Sequence, residues 1–425
     1  MVGVSLSVLL KNGLILYGES YEKVRADILI EGNEIVKIGR NLHADSDVVI
    51  DCSHSLVIPG LINAHTHSPM VLLRGLAEDV PLMEWLEKYI WPNERKLGKK
   101  EVYWGALLGL IEMARSGTTT FIDMYFHMDE VAKATLEVGL RGFLGYGMID
   151  LDDERKRKIE IRETEKFRKF VVQQNSELVN FILAPHAPYT CSMECLKWVA
   201  NKSREWNALV TIHLSETKGE VALIKEKYGK TPTEVLADAG LLNEKLIAAH
   251  GIWLEDKEVS LLSEKGSTVV HCPASNMKLG SGIINLRKLL DSGVNVALGT
   301  DGAASNNTLD MLREMRLASL LQKVVNLDPS IIKSVEIFRM ATLNGAKALK
   351  LNAGVIKEGY LADIAVISLK RPNLLPTNDP LSSLIFSAKA GDVETLIVNG
   401  RIVILDGEFQ TVDEDKVLDK FLGVL

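Results

Sequence analysis

An α/β fold is predicted by this sequence: a (β/α)8 TIM barrel carrying a small β-sandwich domain built from both chain ends. Three observations predict it. Short β-branched strands cluster at either end of the chain, strand-like runs alternate with amphipathic stretches between them, and His, Glu and Asp recur where those runs stop. Alternation of strand and helix favours parallel pairing through βα units. In a barrel of such units the functional groups gather at the C-terminal strand ends.

The N-terminal strands are read from Ser7–Leu10, Leu14–Tyr17, Ala26–Glu31, Glu34–Ile38 and Val48–Asp51, separated by Asn-Gly, Gly-Asn and Gly-Arg turn signals. The apolar stretch from Val2 to Leu16 lacks a basic leader and is cut by Lys11, Asn12 and Gly13, so it reads as strand and not as a signal peptide. Eight barrel strands follow: Val57–His65, Thr118–Met124, Gly142–Met148, Asn180–Pro185, Leu209–Leu214, Leu246–His250, Ser267–His271 and Val294–Thr300. Amphipathic stretches between them include Glu101–Arg115, Met128–Val138, Ser192–Trp206, Lys218–Tyr228, Asp256–Lys265 and Leu286–Ser292, with Leu309–Val325 after the last strand. The charged segment Asp152–Lys158 reads as a loop. Strands return at Asp363–Leu369, Thr395–Val398 and Arg401–Leu405, the last two joined by an Asn399-Gly400 hairpin turn. The expected divisions are 1–57 and 359–425 for the sandwich and 58–358 for the barrel.

Composition narrows the function. With 49 Lys and Arg against 56 Asp and Glu, the net charge of −7 argues against a general nucleic-acid or anionic-membrane binder. A small molecule is the expected partner. No stretch approaches the ~18 uninterrupted apolar residues of a membrane span. The cysteines, Cys52, Cys191, Cys195 and Cys272, form no C-x-x-C pair and read as reduced thiols of a cytoplasmic protein.

The strand ends carry the chemistry. His65 and His67 flank Thr66 at the end of the first strand, and the period of two along a strand points both imidazoles the same way. The fifth strand ends in His213 with Glu216 three residues on, the sixth in His250 and the eighth in Asp301. Singly, such a His is more often a partner of a backbone carbonyl, and an Asp before Gly a turn former. Together, His65, His67, His213 and Asp301 make a nitrogen-rich set suited to Zn(II) or Fe(II). A bound metal lowers the pKa of water to about 7, so the chemistry is hydrolytic. Glu216 is placed to pass a proton to substrate. His250 has two readings of equal weight: it polarises the attacked centre or orients hydroxide, or it is a hydrogen-bonding neighbour of the ligands. His43, His54 and His127 are left structural.

The run Pro59-Gly60-Leu61-Ile62-Asn63-Ala64-His65-Thr66-His67, the His213-x-x-Glu216 segment, His250 and Gly299-Thr300-Asp301-Gly302 resemble the amidohydrolase superfamily, specifically its metal-dependent aminohydrolases. Met70–Asp79, Pro185–Tyr189, Pro273–Gly280 and Asp301–Asn307 are similar to the 5-methylthioadenosine/S-adenosylhomocysteine deaminases. The resemblance implies one divalent metal per subunit, with Zn2+ first and Fe2+ or Mn2+ tolerated, because Pro185-His186 ends the fourth strand where dinuclear relatives place a bridging lysine. It implies attack of hydroxide on C6 of the adenine ring of 5-methylthioadenosine, S-adenosylhomocysteine, 5′-deoxyadenosine or adenosine, giving the inosine analogue and ammonia. Glu216 then protonates the neighbouring ring nitrogen, Asp301 passes the water proton to the leaving amine, and His250 assists the hydroxide. For the sugar and its 5′ substituent it points to Glu94, His186 and Trp85. An arginine expected near the third strand end is replaced by Gly145-Tyr146-Gly147, with Arg155 or Arg157 as substitutes. It further implies a homo-oligomer. Two competing readings are another aminohydrolase of the superfamily, acting on guanine, a pterin or a triazine, and a catalytically silent metal-binding barrel.

Overall fold

Gly60 divides the apolar run Leu56–Ile62 between two sheets. In the computed structural model, which describes residues 7–423, the run is two strands with Gly60 alone between them. A Cβ at Gly60 would meet the Thr119 side chain at 2.2 Å, so only glycine lets the strands approach there.

Five strands precede or end at that point: β1 Ser7–Tyr17, β2 Glu22–Glu31, β3 Glu34–Gly39, β4 Val48–Asp51 and β5 Ser55–Pro59. The expected first strand was read from Val2; its residues 2–6 lie outside the described residues. The two segments expected at Ser7–Leu10 and Leu14–Tyr17 are one strand, β1, whose pairing with β2 shifts register between Leu10 and Gly13. Asn12 there takes a φ of 60°, so a bulge stands where the Asn-Gly signal reads as a turn.

The central strands are β6 Leu61–Thr66, β7 Thr118–Tyr125, β8 Arg141–Met148, β9 Val179–Phe181, β10 Ala184–Pro185, β11 Val210–Leu214, β12 Leu246–His250, β13 Thr268–His271 and β14 Asn295–Leu298. The expected fourth barrel strand is therefore broken into β9 and β10. All their pairings are parallel, in two sheets: β6, β7 and β8 with β9 and β10 on β8, and β11 to β14 in sequence. A Leu183–Val210 bridge joins the sheets on one side. On the other, the Asp301 N–H donates to the His65 carbonyl at 3.0 Å, and Asn63 and Thr300 exchange hydrogen bonds at 2.7 and 3.0 Å.

Inside these strands Ile62, Ala64, Ile122, Phe143, Ile182, Ile247, Val270 and Ala297 form one cluster. Each buried isoleucine there contributes roughly 1.5–3 kcal/mol. Helices Lys99–Arg115, Met128–Val138, Met193–Glu205, Asp256–Glu264 and Met311–Asn326 cover the outer faces close to their expected bounds. The segment read as a charged loop is instead the start of a long helix, Glu154–Gln174, capped by the Asp153 carboxylate accepting from the Arg155 and Lys156 N–H groups. Charge on nearly every face hid its period, and pairs such as Glu154–Lys158 at 2.7 Å support it.

The chain ends in β15 Ile364–Ser368, β16 Val393–Val398, β17 Arg401–Leu405 and β18 Glu408–Phe409, which continue the N-terminal strands into one nine-stranded sheet through β15–β5 pairing. This sheet has a core of its own, with Val8, Leu10, Ile15, Ile28, Ile30, Val57, Ile364 and Val366 packed together. Arg141 at the start of β8 ties it to the parallel strands: its guanidinium reaches Asp363 at 3.3 Å and Asn399 Oδ1 at 2.8 Å, all buried. The four cysteines are free and buried. Among the described residues no helix is long and apolar enough to cross a membrane.

Candidate metal centre and active site

The interior alternation of β6 breaks just before the site. Its pairing with β7 shifts register between Asn63 and Thr66, so the face that buries Ile62 and Ala64 gives way and His65 and His67 turn toward the strand ends opposite. The ring of His65 lies 4.9 Å from that of His67, 4.8 Å from that of His213 and 5.6 Å from that of His250. One ligand atom from each of His65, His67, His213 and Asp301 falls within a 4.8 Å span.

Hydrogen bonds fix which nitrogens face inward. The Nδ1–H of His67 donates to the Met124 carbonyl at 2.6 Å and that of His213 to the His186 carbonyl at 2.7 Å, leaving both Nε2 lone pairs aimed at the centre. Those Nε2 atoms stand 3.3 Å apart, and Asp301 Oδ1 is 3.2 Å from His67 Nε2 and 3.6 Å from His65 Nε2. His65 is fully buried with neither ring nitrogen hydrogen-bonded. Buried lone pairs without donors, converging with a carboxylate, fit a divalent cation.

Electrostatics agree. Burial lowers His65 to about 4 and, with neighbouring imidazoles, takes His213 well below the usual histidine range, so both are neutral donors. Burial alone would raise Asp301, but His65 and His67 outweigh it and hold the carboxyl well below the usual range. Burial alone would lower His67, but the Asp301 carboxylate beside it outweighs burial and raises it to about 9, so before a cation binds His67 and Asp301 form the charged pair among neutral imidazoles, the pair a cation would take over.

Strained backbone aims the surrounding groups. Ser215, His250 and Asp301 take left-handed φ values of 48°, 73° and 62°, each costing on the order of 1–3 kcal/mol and characteristic of functional sites. The buried Glu220 carboxylate braces the first of these turns, accepting from the Ser215 N–H at 3.0 Å and the Glu216 N–H at 2.7 Å. Glu216 is raised by burial, which favours the protonated acid; its Oε1 accepts from the Ser281 hydroxyl at 3.2 Å and its Oε2 lies 3.8 Å from His250 Nε2. His250 Nδ1 is 2.9 Å from Asn276 Oδ1.

These groups open onto a cavity whose lining includes His67, His213, Glu216, His250 and Asp301. Trp85, Glu94 and His186 line it too, with Ile90, Trp91, Phe126 and Ile149 as an apolar wall. Burial raises Glu94, which faces a Tyr125 hydroxyl buried without an aligned hydrogen bond. Burial lowers His186 to about 3, and its Nδ1 is 2.9 Å from the Thr190 hydroxyl. Arg155 and Arg157 are not brought to the cavity. Arg155 is exposed on the helix Glu154–Gln174, and the Arg157 guanidinium is held by Ser192 Oγ at 3.1 Å and Asp150 at 3.4 Å. At the third strand end it is Gly147 that lines the cavity, while Tyr146 meets Glu160 outside it.

The amidohydrolase family matches residues 56–403, most of the chain. This chain belongs to the amidohydrolase family. Within it, the protein is 70% identical over 421 residues to a 5-methylthioadenosine/S-adenosylhomocysteine deaminase of Pyrococcus abyssi, covering 99% of both chains. It is 49% identical over 399 residues to a 5′-deoxyadenosine deaminase of Methanocaldococcus jannaschii, covering 93% of this amidohydrolase and 95% of that one. A zinc-bound adenosine deaminase from Xanthomonas campestris superposes with a TM-score of 0.93 at 32% identity, covering 98% of this chain and 97% of that one. The amidohydrolase is thus an enzyme with a divalent-metal centre on a mixed α/β fold of the TIM-barrel type.

Sequence reasoning passed over Ser275, Ser281, Ser305 and Glu220. Glu220 stands four residues after Glu216 and Ser305 four after Asp301, a spacing that returns a side chain over the preceding turn; it was the available signal.

Proposed function

We propose that this amidohydrolase hydrolytically deaminates an adenosine-type nucleoside, 5′-methylthioadenosine, S-adenosylhomocysteine, 5′-deoxyadenosine or adenosine, to the inosine analogue and ammonia, with a preference for a small, neutral 5′ group. The convergence of His65, His67, His213 and Asp301 beside a buried Glu216 carries this reading. The named deaminases and the zinc-bound neighbour support it. Zn2+ is the proposed ion on the nitrogen-rich ligand set.

When bound, the metal lowers the pKa of water to about 7 and so supplies hydroxide at neutral pH. Asp301 accepts the proton released from water. Glu216, whose carboxyl burial raises above the usual range, donates to the ring nitrogen beside C6 as the hydroxyl adds, which spares the ring a full negative charge. On collapse, Asp301 gives its proton to the amine, which leaves as ammonia, and the new hydroxyl returns a proton to Glu216. His250 assists the hydroxide, its Nε2 lying 3.8 Å from Glu216 Oε2. Glu94 accepts from sugar hydroxyls, His186 hydrogen-bonds the sugar, and Trp85 packs against base or thioether.

The lining of the cavity supports the choice of substrate. Among the described residues that line it there is no Lys or Arg, while Phe126, Ile149 and Trp91 present apolar surface. An amino-acid tail brings a carboxylate that finds no cation there. We further infer a closed eight-stranded barrel over 58–358, on the hydrogen bonds at both sheet seams. A nine-stranded sheet curled into a sandwich by 1–57 and 359–425 follows from its separate core. The exposed stripe Leu320, Val324 and Leu327 supports a homo-oligomer.

Ammonia release and the ultraviolet change of adenine to hypoxanthine, measured for the metal-loaded protein on a nucleoside panel, test the reading. Turnover of guanine or triazines with inert adenine nucleosides would overturn it.

A further inference from the structure

Two serines converge on the outer oxygen of Asp301. Ser275 Oγ donates to Oδ2 at 2.6 Å and Ser305 Oγ at 2.8 Å, whereas Oδ1 accepts the Gly302 N–H at 2.8 Å and faces His65 and His67. The two oxygens thus have different duties. Oδ2 accepts from two hydroxyls, and Oδ1 looks into the cluster of imidazole nitrogens. Both serines are buried.

They come from two short helices, Pro273–Lys278 and Ala303–Asn306, which are bolted together at both ends. At one end the buried Glu314 carboxylate accepts from the Ala274 N–H at 3.1 Å and from Asn306 Nδ2 at 2.9 Å; the same amide group also reaches the Thr300 carbonyl at 2.6 Å. At the other, Lys278 donates to the Ala304 carbonyl at 3.1 Å and to the Asn307 side chain. This frame fixes the spacing between Ser275 and Ser305, and so the plane of the carboxylate.

We propose that Ser275 and Ser305 are positioning residues that lock Asp301 as a one-oxygen ligand, with Glu314 and Lys278 as the frame that sets them. The inference rests on the metal-centre reading above. Without the two donors, the carboxylate is free to turn about its last torsion, presenting both oxygens or neither. Outer partners of ligands typically contribute 10–100-fold to metal affinity or activity.

The test uses the metal-loaded enzyme as wild type, Ser275→Ala, Ser305→Ala, the double variant and Ser305→Thr. Ser305 lines the cavity, and Ser305→Thr keeps the hydroxyl. Metal retained against EDTA, kcat and KM for 5′-methylthioadenosine, and thermal midpoint are read for each. The expected result is about a 10–100-fold loss of metal affinity in the double variant, a fall in kcat with KM little changed, partial losses in the single alanine variants, and recovery in Ser305→Thr. Wild-type metal retention and kcat in the double variant overturn the proposal. If the double variant does not fold, the single variants decide: unchanged metal retention in both overturns it. A wild type that holds no metal removes the metal-centre reading itself, a result distinct from a wild type and double variant that hold it equally.

Discussion

His67 Nε2 and His213 Nε2 face each other at 3.3 Å, each with its Nδ1–H committed to a backbone carbonyl. Two lone pairs at that separation repel unless a proton or a metal cation lies between them. The carbonyls of Met124 and His186 therefore do more than orient the rings: they fix the tautomer that makes the centre a ligand set.

Glu216→Gln keeps the shape of the acid and removes its proton. We expect kcat to fall by about 10²–10⁴-fold, the usual contribution of a positioned general acid, with metal content unchanged. Rapid-quench or steady-state assay alongside elemental analysis checks both halves. A catalytically silent barrel predicts no turnover to lose.

S-adenosylhomocysteine should be a poorer substrate than 5′-methylthioadenosine. A missing charge-assisted contact to the tail carboxylate is worth roughly 1.5–3 kcal/mol, or about 10–100-fold in kcat/KM. Equal kcat/KM for the two would show that the tail finds a partner or stays in solvent.

Arg141→Ala should destabilise the protein by about 3–5 kcal/mol, because Asp363 would stay buried with its charge partner gone. Arg141 and Asp363 are only 3% exposed at most for the arginine and 4% for the aspartate. Urea denaturation measures the change. A difference below about 1 kcal/mol would mean that the pair is a surface-like bridge.

Stability should fall with rising pH through Glu314. Burial raises its carboxyl from the ordinary 4.5 to about 8, so the folded state binds a proton that the unfolded chain releases. Its contribution is fully present below the unfolded pKa and is lost as pH rises through the folded one. Glu314→Gln should flatten the stability profile between pH 4.5 and about 8. Identical wild-type and variant slopes, measured by denaturation across that range, would contradict this.

Much of the site was legible because its ligands sit where strands stop. His65, His67, His213 and Asp301 follow apolar runs, and alternation along a strand is the strongest periodic signal a sequence carries. What escaped lies in turns and charge. Gly60 looks like strand interior, yet it separates two sheets. The helix Glu154–Gln174 hid behind charges on nearly every face. At the third strand end, attention to Tyr146 missed that its neighbour Gly147 faces the cavity. Ser275 and Ser305 are far apart in sequence and meet only through the fold.

Elemental analysis of the purified protein beside His67→Ala, His213→Ala and Asp301→Asn tests the central claim most directly. The account predicts about one divalent ion per wild-type chain, as expected for a single catalytic site, with metal and activity lost together in every variant. A wild-type enzyme fully active without metal, or ligand variants that keep both the ion and turnover, would contradict it.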